Sequence, residues 1–205
     1  MALYKQWHPE PGTAIAIWKV EEPEDFFVRE TGFHSNRKHT IRRIEHVTGR
    51  FLLRHLDPGF PIHKIEISPL RKPFLPPADN RHFSISHSFP YIAAAISRTK
   101  NIGVDIQIFR EKIIRLQHKF LSEKEQKHFH NDTGKLTLAW SVKEAVFKWY
   151  GAGELDFIGH MPIRQVNWEE NPLHITMDFM KTAEPQPLCV EGSIDTDFSF
   201  ACMLQ

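Results

Sequence analysis

Four short segments near the C-terminal end, IRQVNW, LHITMDFM, LCVEGS and FSFACML, read as antiparallel strands, and they follow a helical stretch of residues 135–150. Gly151 stands where that helix needs a C-terminal cap. Strand patterns also occur ahead of the helix. AIAIWKV (14–20) reads as a first strand, and FSISHS, YIAAAIS and IGVDIQIF read as three short strands in a meander, turning at Phe89–Pro90 and at 98–101. Strands that precede and follow helices in both halves predict an α+β architecture.

Between the first strand and the meander, Ile41, Ile44, Val47 or Phe51, Leu52 and Leu56 return at helical spacing, which predicts a helix from about Asn36 to Leu56 with a buried stripe. Arg43, His46, Arg50 and Arg54 are spaced three, four and four apart on that helix and share one face. PIHKIEIS (61–68) alternates like a half-buried strand, and RKPFLPPADN is a proline-rich loop. A helical stretch from about Glu111 leads to Ser122, which forms with Glu125 the S-x-x-E capping pattern of a further short helix.

Hydrophobic residues make up 41% of the 205, enough for one large domain or two small ones. No apolar run reaches the ~20 residues that span a bilayer, and MALYKQWHPEPG lacks the features of a signal peptide, so the expected location is cytoplasmic, with no membrane partner. Cys189 and Cys202 are then expected to be reduced, core-type thiols. The thirteen histidines include no H-E-x-x-H pattern and none lies near a C-x-x-C. Net charge is +1, but Arg29–Arg54 holds seven Lys or Arg against two acids, and Glu169–Asp197 holds seven acids against Lys181 alone. The basic cluster raises nucleic-acid binding as one reading. Without a recognised module, in a chain that is nearly neutral, it is not the favoured one.

In IGVDIQIF, Ile102, Val104, Ile106 and Ile108 face one side while Gly103, Asp105 and Gln107 face the other, with Asp105 and Gln107 about 7 Å apart. An acid and an amide oxygen can then aim at one point. In WSVKEAVFKWYG (140–151), Ser141, Glu144 and Lys148 lie along one helical stripe, leaving Trp140, Val146 and Trp149 for the core. Taken alone, Glu144 and Lys148 are an i,i+4 pair contributing about 0.3–0.5 kcal/mol.

The combination resembles the 4′-phosphopantetheinyl transferases. IGVDIQ and WSVKEAVFK, with FLSEKE between them and GAGELDF after them, are similar to that family's signature. Upstream, RKPFLP, FSISHS and GRFLLRHL resemble the G-K-P loop, the N-[IL]-S-H-S strand and the basic helix end of its longer, surfactin-type branch. The resemblance runs from about Ala14 to the C-terminus. It implies transfer of the phosphopantetheine arm of coenzyme A to a serine of an acyl or peptidyl carrier protein, with Mg²⁺ on the diphosphate and 3′,5′-ADP released. It also implies two similar lobes forming a pseudo-dimer, 1–100 binding coenzyme A phosphates and 101–205 carrying metal and catalysis, with coenzyme A in the cleft between them. Both lobes being present in one chain implies a monomer.

By position, Arg50, Lys72, Ser86 and His87 correspond to the coenzyme A contacts, with Lys148 near the phosphates. Asp105 and Glu144 correspond to the metal carboxylates, and Glu144 to the general base, acting directly or through a water. Gln107 stands where that branch often has Glu, so a third metal ligand would be neutral. Arg71 stands where the loop usually has Gly. The alternative is a scaffold of the same kind that holds coenzyme A or a carrier protein without chemistry.

Overall fold

The structure, a computed structural model, describes residues 3–205. Its contacts divide it into two units, one running to Val104 and including Gln205, the other Asp105–Leu204.

The first unit contains strands Leu3–Trp7 (β1) and Thr13–Lys19 (β2), helices Glu24–Thr31 (α1) and Thr40–Leu56 (α2), a ribbon of Glu66–Ile67 (β3) and Pro73–Phe74 (β4), and the hairpin His82–Ser88 (β5) with Tyr91–Ser97 (β6). Its main sheet is antiparallel in the order β1-β2-β6-β5. Ala94, in central β6, faces Ala16 on one side and Ile85 on the other. Val47, Leu52 and Leu53 of α2 join Ala16, Trp18, Ile92 and Ala94 in one core cluster, and fully burying one such leucine stabilises by about 1.5–3 kcal/mol. Gly49 sits where a Cβ would come 2.9 Å from Ile85 Cγ2. A glycine there lets α2 approach β5, offsetting its helix-propensity cost of about 1 kcal/mol.

Several expectations change in this unit. The helix begins at Thr40 rather than Asn36, and Ile41, expected in the buried stripe, is 39% exposed. Residues 61–68 form a 3₁₀ turn at Ile62–Lys64 followed by only a two-residue strand. The basic face of α2 is largely spent on packing. Arg43 Nε donates to both oxygens of Glu24 at 3.1 Å, and Arg54 Nη1 donates to the Thr31 carbonyl at the end of α1 at 3.1 Å.

The second unit takes the strand Ile102–Ile108 (β7) from Asp105 onward, helices Lys112–Leu116 (α3), Glu123–Phe129 (α4) and Thr133–Tyr150 (α5), and strands Ile163–Asn167 (β8), Leu173–Phe179 (β9), Gln186–Ile194 (β10) and Phe198–Leu204 (β11). The sheet order is β7-β11-β10-β9-β8, with β8 through β11 antiparallel. The expected three-strand meander is therefore only a hairpin, because β7 pairs in this second sheet beside β11. Helix α5 lies on β11 and β10, and its Leu136, Leu138, Val142, Ala145 and Val146 pack with Ile175, Met177, Val190, Ala201 and Met203. Both ends of α5 are fastened locally. Asp132 accepts from the Lys135 amide at 2.8 Å, and Gly151, at φ 67°, returns its N–H to the Phe147 carbonyl.

The expected capping box is present at the start of α4: Ser122 Oγ accepts from the Glu125 amide and the Glu125 carboxylate accepts from the Ser122 amide. Both cysteines are free, but only Cys202 is a core thiol; Cys189, on β10, is exposed. Among the described residues no helix is long and apolar enough to cross a membrane.

Candidate functional site

Helix α5 lies on β11, β7 is the strand next to β11, and Lys148 in the last turn of the helix reaches the middle of β7. Asp105 is only 6% exposed, and Lys148 Nζ donates to its Oδ1 at 2.7 Å. Lys148 therefore reaches across to the strand, which an ordinary intrahelical pair would not do. One turn before it, Glu144 is pushed up to about 7, first by burial and then by the Asp105 charge, with Lys148 working against both. A carboxyl poised near neutral pH can exchange a proton with a substrate hydroxyl. Gln107, two residues along β7 and half-buried, donates through Nε2 to the Ile108 carbonyl at 3.5 Å. Ser141, on the same expected stripe, is instead fully buried, its Oγ 3.0 Å from Ser199 Oγ on β11.

This donor set suits Mg²⁺. Burial first, and the Asp105 charge after it, hold Glu144 near half-protonation, and a cation replacing that proton would offset both. No group of three or more His, Cys, Asp or Glu capable of caging a metal occurs among the described residues. Mg²⁺ commonly takes one or two carboxylates and completes its octahedron with substrate oxygens and water.

Sequence reasoning passed over Lys143, the residue immediately before Glu144. It is fully buried, and its Nζ donates to Glu125 Oε1 at 2.7 Å, to the Phe120 carbonyl at 2.6 Å and to the Phe157 carbonyl at 2.8 Å. Burial pulls its ammonium below the usual range, against the raising effect of Glu125 and Asp156. Glu125, besides capping α4, accepts from the Ile163 amide at 2.8 Å. One ion pair thus ties α5 to α4, to the loop after α5 and to β8. The signal was available: position 143 lies four residues after Ala139 and three before Val146, both core residues, so a lysine there needs internal partners.

Of the residues expected to meet coenzyme A, Arg50, Lys72, Ser86 and His87 lie in the first unit and Lys148 in the second. Arg50 is 8% exposed, its guanidinium lies 4.7 Å from the Phe33 ring centre, and its Nε makes no hydrogen bond among the described residues. Burial and then Arg37 lower its pKa to about 10. His46 is pushed down to about 4 by burial, then by Arg50, Arg37 and His87, so these cations share one neighbourhood. Lys72 is lowered by burial. Ser86 and His87 are consecutive on β5 and point to opposite faces: Ser86 is 4% exposed, while the His87 side chain is 38% exposed and meets Glu45 of α2. Burial works to raise the Glu45 pKa, but His87 and Arg42 outweigh it and hold the carboxyl below its ordinary range.

Comparison with known proteins bears on the same residues. A family model for the 4′-phosphopantetheinyl transferase superfamily matches residues 101–202, which include Asp105, Glu144 and Lys148. A 4′-phosphopantetheinyl transferase of Bacillus subtilis is 34% identical over 87 residues, covering 40% of this chain and 38% of that protein. A second from the same organism, 4′-phosphopantetheinyl transferase ffp, is 31% identical over 126 residues, covering 57% of this chain and 55% of that protein. The chain thus spans about half or less of the length of the curated relatives it matches. Residues 101–202 of the chain, which hold the buried acid of β7 and the acid and lysine of α5, belong to the 4′-phosphopantetheinyl transferase superfamily.

Proposed function

We propose that the protein transfers the 4′-phosphopantetheine arm of coenzyme A to a serine of an apo acyl or peptidyl carrier protein, releasing 3′,5′-ADP. The observation that carries this reading is the cluster of Asp105, Glu144 and Lys148, which brings two acids and a cation together with one carboxyl near half-protonation. In this role Glu144 takes the proton of the carrier serine, directly or through a water, and the serine oxygen forms a new bond to the β-phosphorus of coenzyme A as the bond from that phosphorus to the bridging oxygen breaks. Lys148 steadies the oxygens that gain charge. Asp105, Glu144 and, through its amide oxygen or a water, Gln107 would hold Mg²⁺, which would neutralise the diphosphate.

Arg50, Lys72, Ser86 and His87 are assigned to the remaining anionic groups of coenzyme A. The longer, surfactin-type branch, its two similar lobes and a monomeric state go with this reading, since a single chain carries both sets of residues.

The test is mass spectrometry of an apo carrier protein after incubation with the protein, coenzyme A and Mg²⁺. Addition of one phosphopantetheine supports the proposal. Tight coenzyme A binding with no carrier modified would favour the non-catalytic scaffold, for which the neutral Gln107 is the one motivating feature. The metal assignment has its own readout. A proton on Glu144 competes with the cation, so Mg²⁺ is expected to raise the melting temperature more at about pH 8 than at about pH 6. An equal shift at both pH values would remove Glu144 from the ligand set.

A further inference from the structure

A buried carboxylate is out of place on a helix edge meant for anions, yet Glu45 of α2 sits there, its side chain only 5% exposed. Repulsion would weaken phosphate binding unless the charge acts through another group. Its partners suggest which: Glu45 Oε2 lies 3.3 Å from His87 Nδ1 and 3.0 Å from Arg42 Nη1, and Arg42 Nη1 is itself 3.4 Å from His87 Nδ1. A carboxylate can only accept and a guanidinium can only donate, so the two compete for Nδ1; the carboxylate oxygen is the nearer, and its contact calls for hydrogen on Nδ1. The ring is then fixed on its buried side, with Nε2 left as the nitrogen for a ligand.

We infer that Glu45 is a positioning residue for His87, accepting a hydrogen bond from Nδ1–H so that the ring, with hydrogen on both nitrogens, presents Nε2–H as a donor to one anionic group of the substrate. The inference rests on the coenzyme A reading above and adds to it the device that aims the histidine. Two neighbouring features fit an anion at this place. Arg50 Nε is buried without a hydrogen-bond partner among the described residues, and Arg50, Arg37 and His87 crowd His46 with positive charge. Arg42, 61% exposed, meets the same carboxylate oxygen, Oε2, and adds a second charge partner to Glu45.

The experiment is a double-mutant cycle on 3′,5′-ADP affinity, measured by calorimetry with the full chain. Glu45→Leu and His87→Ala are each expected to weaken binding about tenfold, and the double variant no more than His87→Ala alone, because Glu45 acts through the histidine. A purely structural Glu45 would give losses that multiply, and that result would overturn the inference, as would unchanged affinity in Glu45→Leu. Melting curves check folding; should Glu45→Leu not fold, Glu45→Met, which has similar length and lacks the carboxylate, takes its place in the cycle with the same criteria. If the wild-type protein does not bind 3′,5′-ADP, the coenzyme A reading itself fails and the inference goes with it. Binding by the wild type with multiplying losses sinks the inference alone.

Discussion

Glu144→Gln is expected to lower phosphopantetheine transfer by about 10²–10⁴-fold, the usual worth of a positioned general base, while making the metal-free protein more stable at about pH 8. The two effects share one cause. Folding raises the Glu144 carboxyl from 4.5 to about 7, chiefly through burial and the Asp105 charge. Between those values the folded chain holds a proton that the unfolded chain has released. This group's stabilisation is therefore complete below about pH 4.5 and is lost as pH rises through about 7. Above that, a charged Glu144 costs roughly 2 kcal/mol, allowing for its residual exposure. Glutamine carries no charge and escapes that cost.

Carrier modification followed by mass spectrometry and thermal melts at about pH 6 and about pH 8 check both halves. Near-normal transfer by the variant would remove Glu144 from the base role. A lower melting temperature at about pH 8 would show that Glu144 serves packing instead. The stabilisation should fade when Mg²⁺ is added, since the cation relieves the wild-type repulsion and has less to bind in the variant.

The placement of Asp105, Gln107, Glu144 and Lys148 was legible because they lie on regular elements whose geometry is local. Alternation along IGVDIQIF put Asp105 and Gln107 on one side of β7, and helical spacing put Glu144 and Lys148 one turn apart on α5. The caps of α4 and α5 were legible for the same reason: Ser122, Glu125 and Gly151 act within a few residues of themselves. Pairing between distant segments was not. Alternation identifies a strand without naming its neighbour, so β7 was expected beside β6, whereas it pairs in the sheet of β11.

Strand β1 was missed because LYKQW is an edge strand, exposed along most of its length, with no buried face to produce a pattern. Residues 61–68 have the alternation of a strand, but β4, the partner of β3, is only two residues long, so most of the segment has nothing to pair with. The basic face of α2 was read as a face, yet Arg43 and Arg54 serve α1, so only part of the cluster is left outside that packing. Glu45 and Lys143 escaped notice because charged residues were sorted by motif, whereas their burial depends on what packs over them.

Lys143→Met is expected to destabilise the protein by about 3–5 kcal/mol, the cost of removing one partner from a buried ion pair. The loss has identifiable parts. Glu125 keeps its amide donors from Ser122 and Ile163 but loses its countercharge, and the Phe120 and Phe157 carbonyls lose the ammonium that satisfied them. Glu125→Gln should also destabilise, for a different reason. Its carboxylate accepts from the Ile163 and Ser122 amides on separate oxygens, so a glutamine must turn its own NH₂ toward one of those donors.

The double variant should lose less than the singles combined, by about 0.5–3 kcal/mol, because the second substitution no longer strands a charge. Urea unfolding midpoints of the three variants measure this, and a Lys143→Met protein within about 1 kcal/mol of the wild type would refute it. Activity adds a separate reading. Lys143 has all three acceptors inside the protein and none left for a substrate, so its loss should lower activity through the position of Glu144 on α5. Under conditions where the variant is folded, Mg²⁺ should then stabilise it less than the wild type at about pH 8, because the two carboxylates that would share the cation are no longer held together.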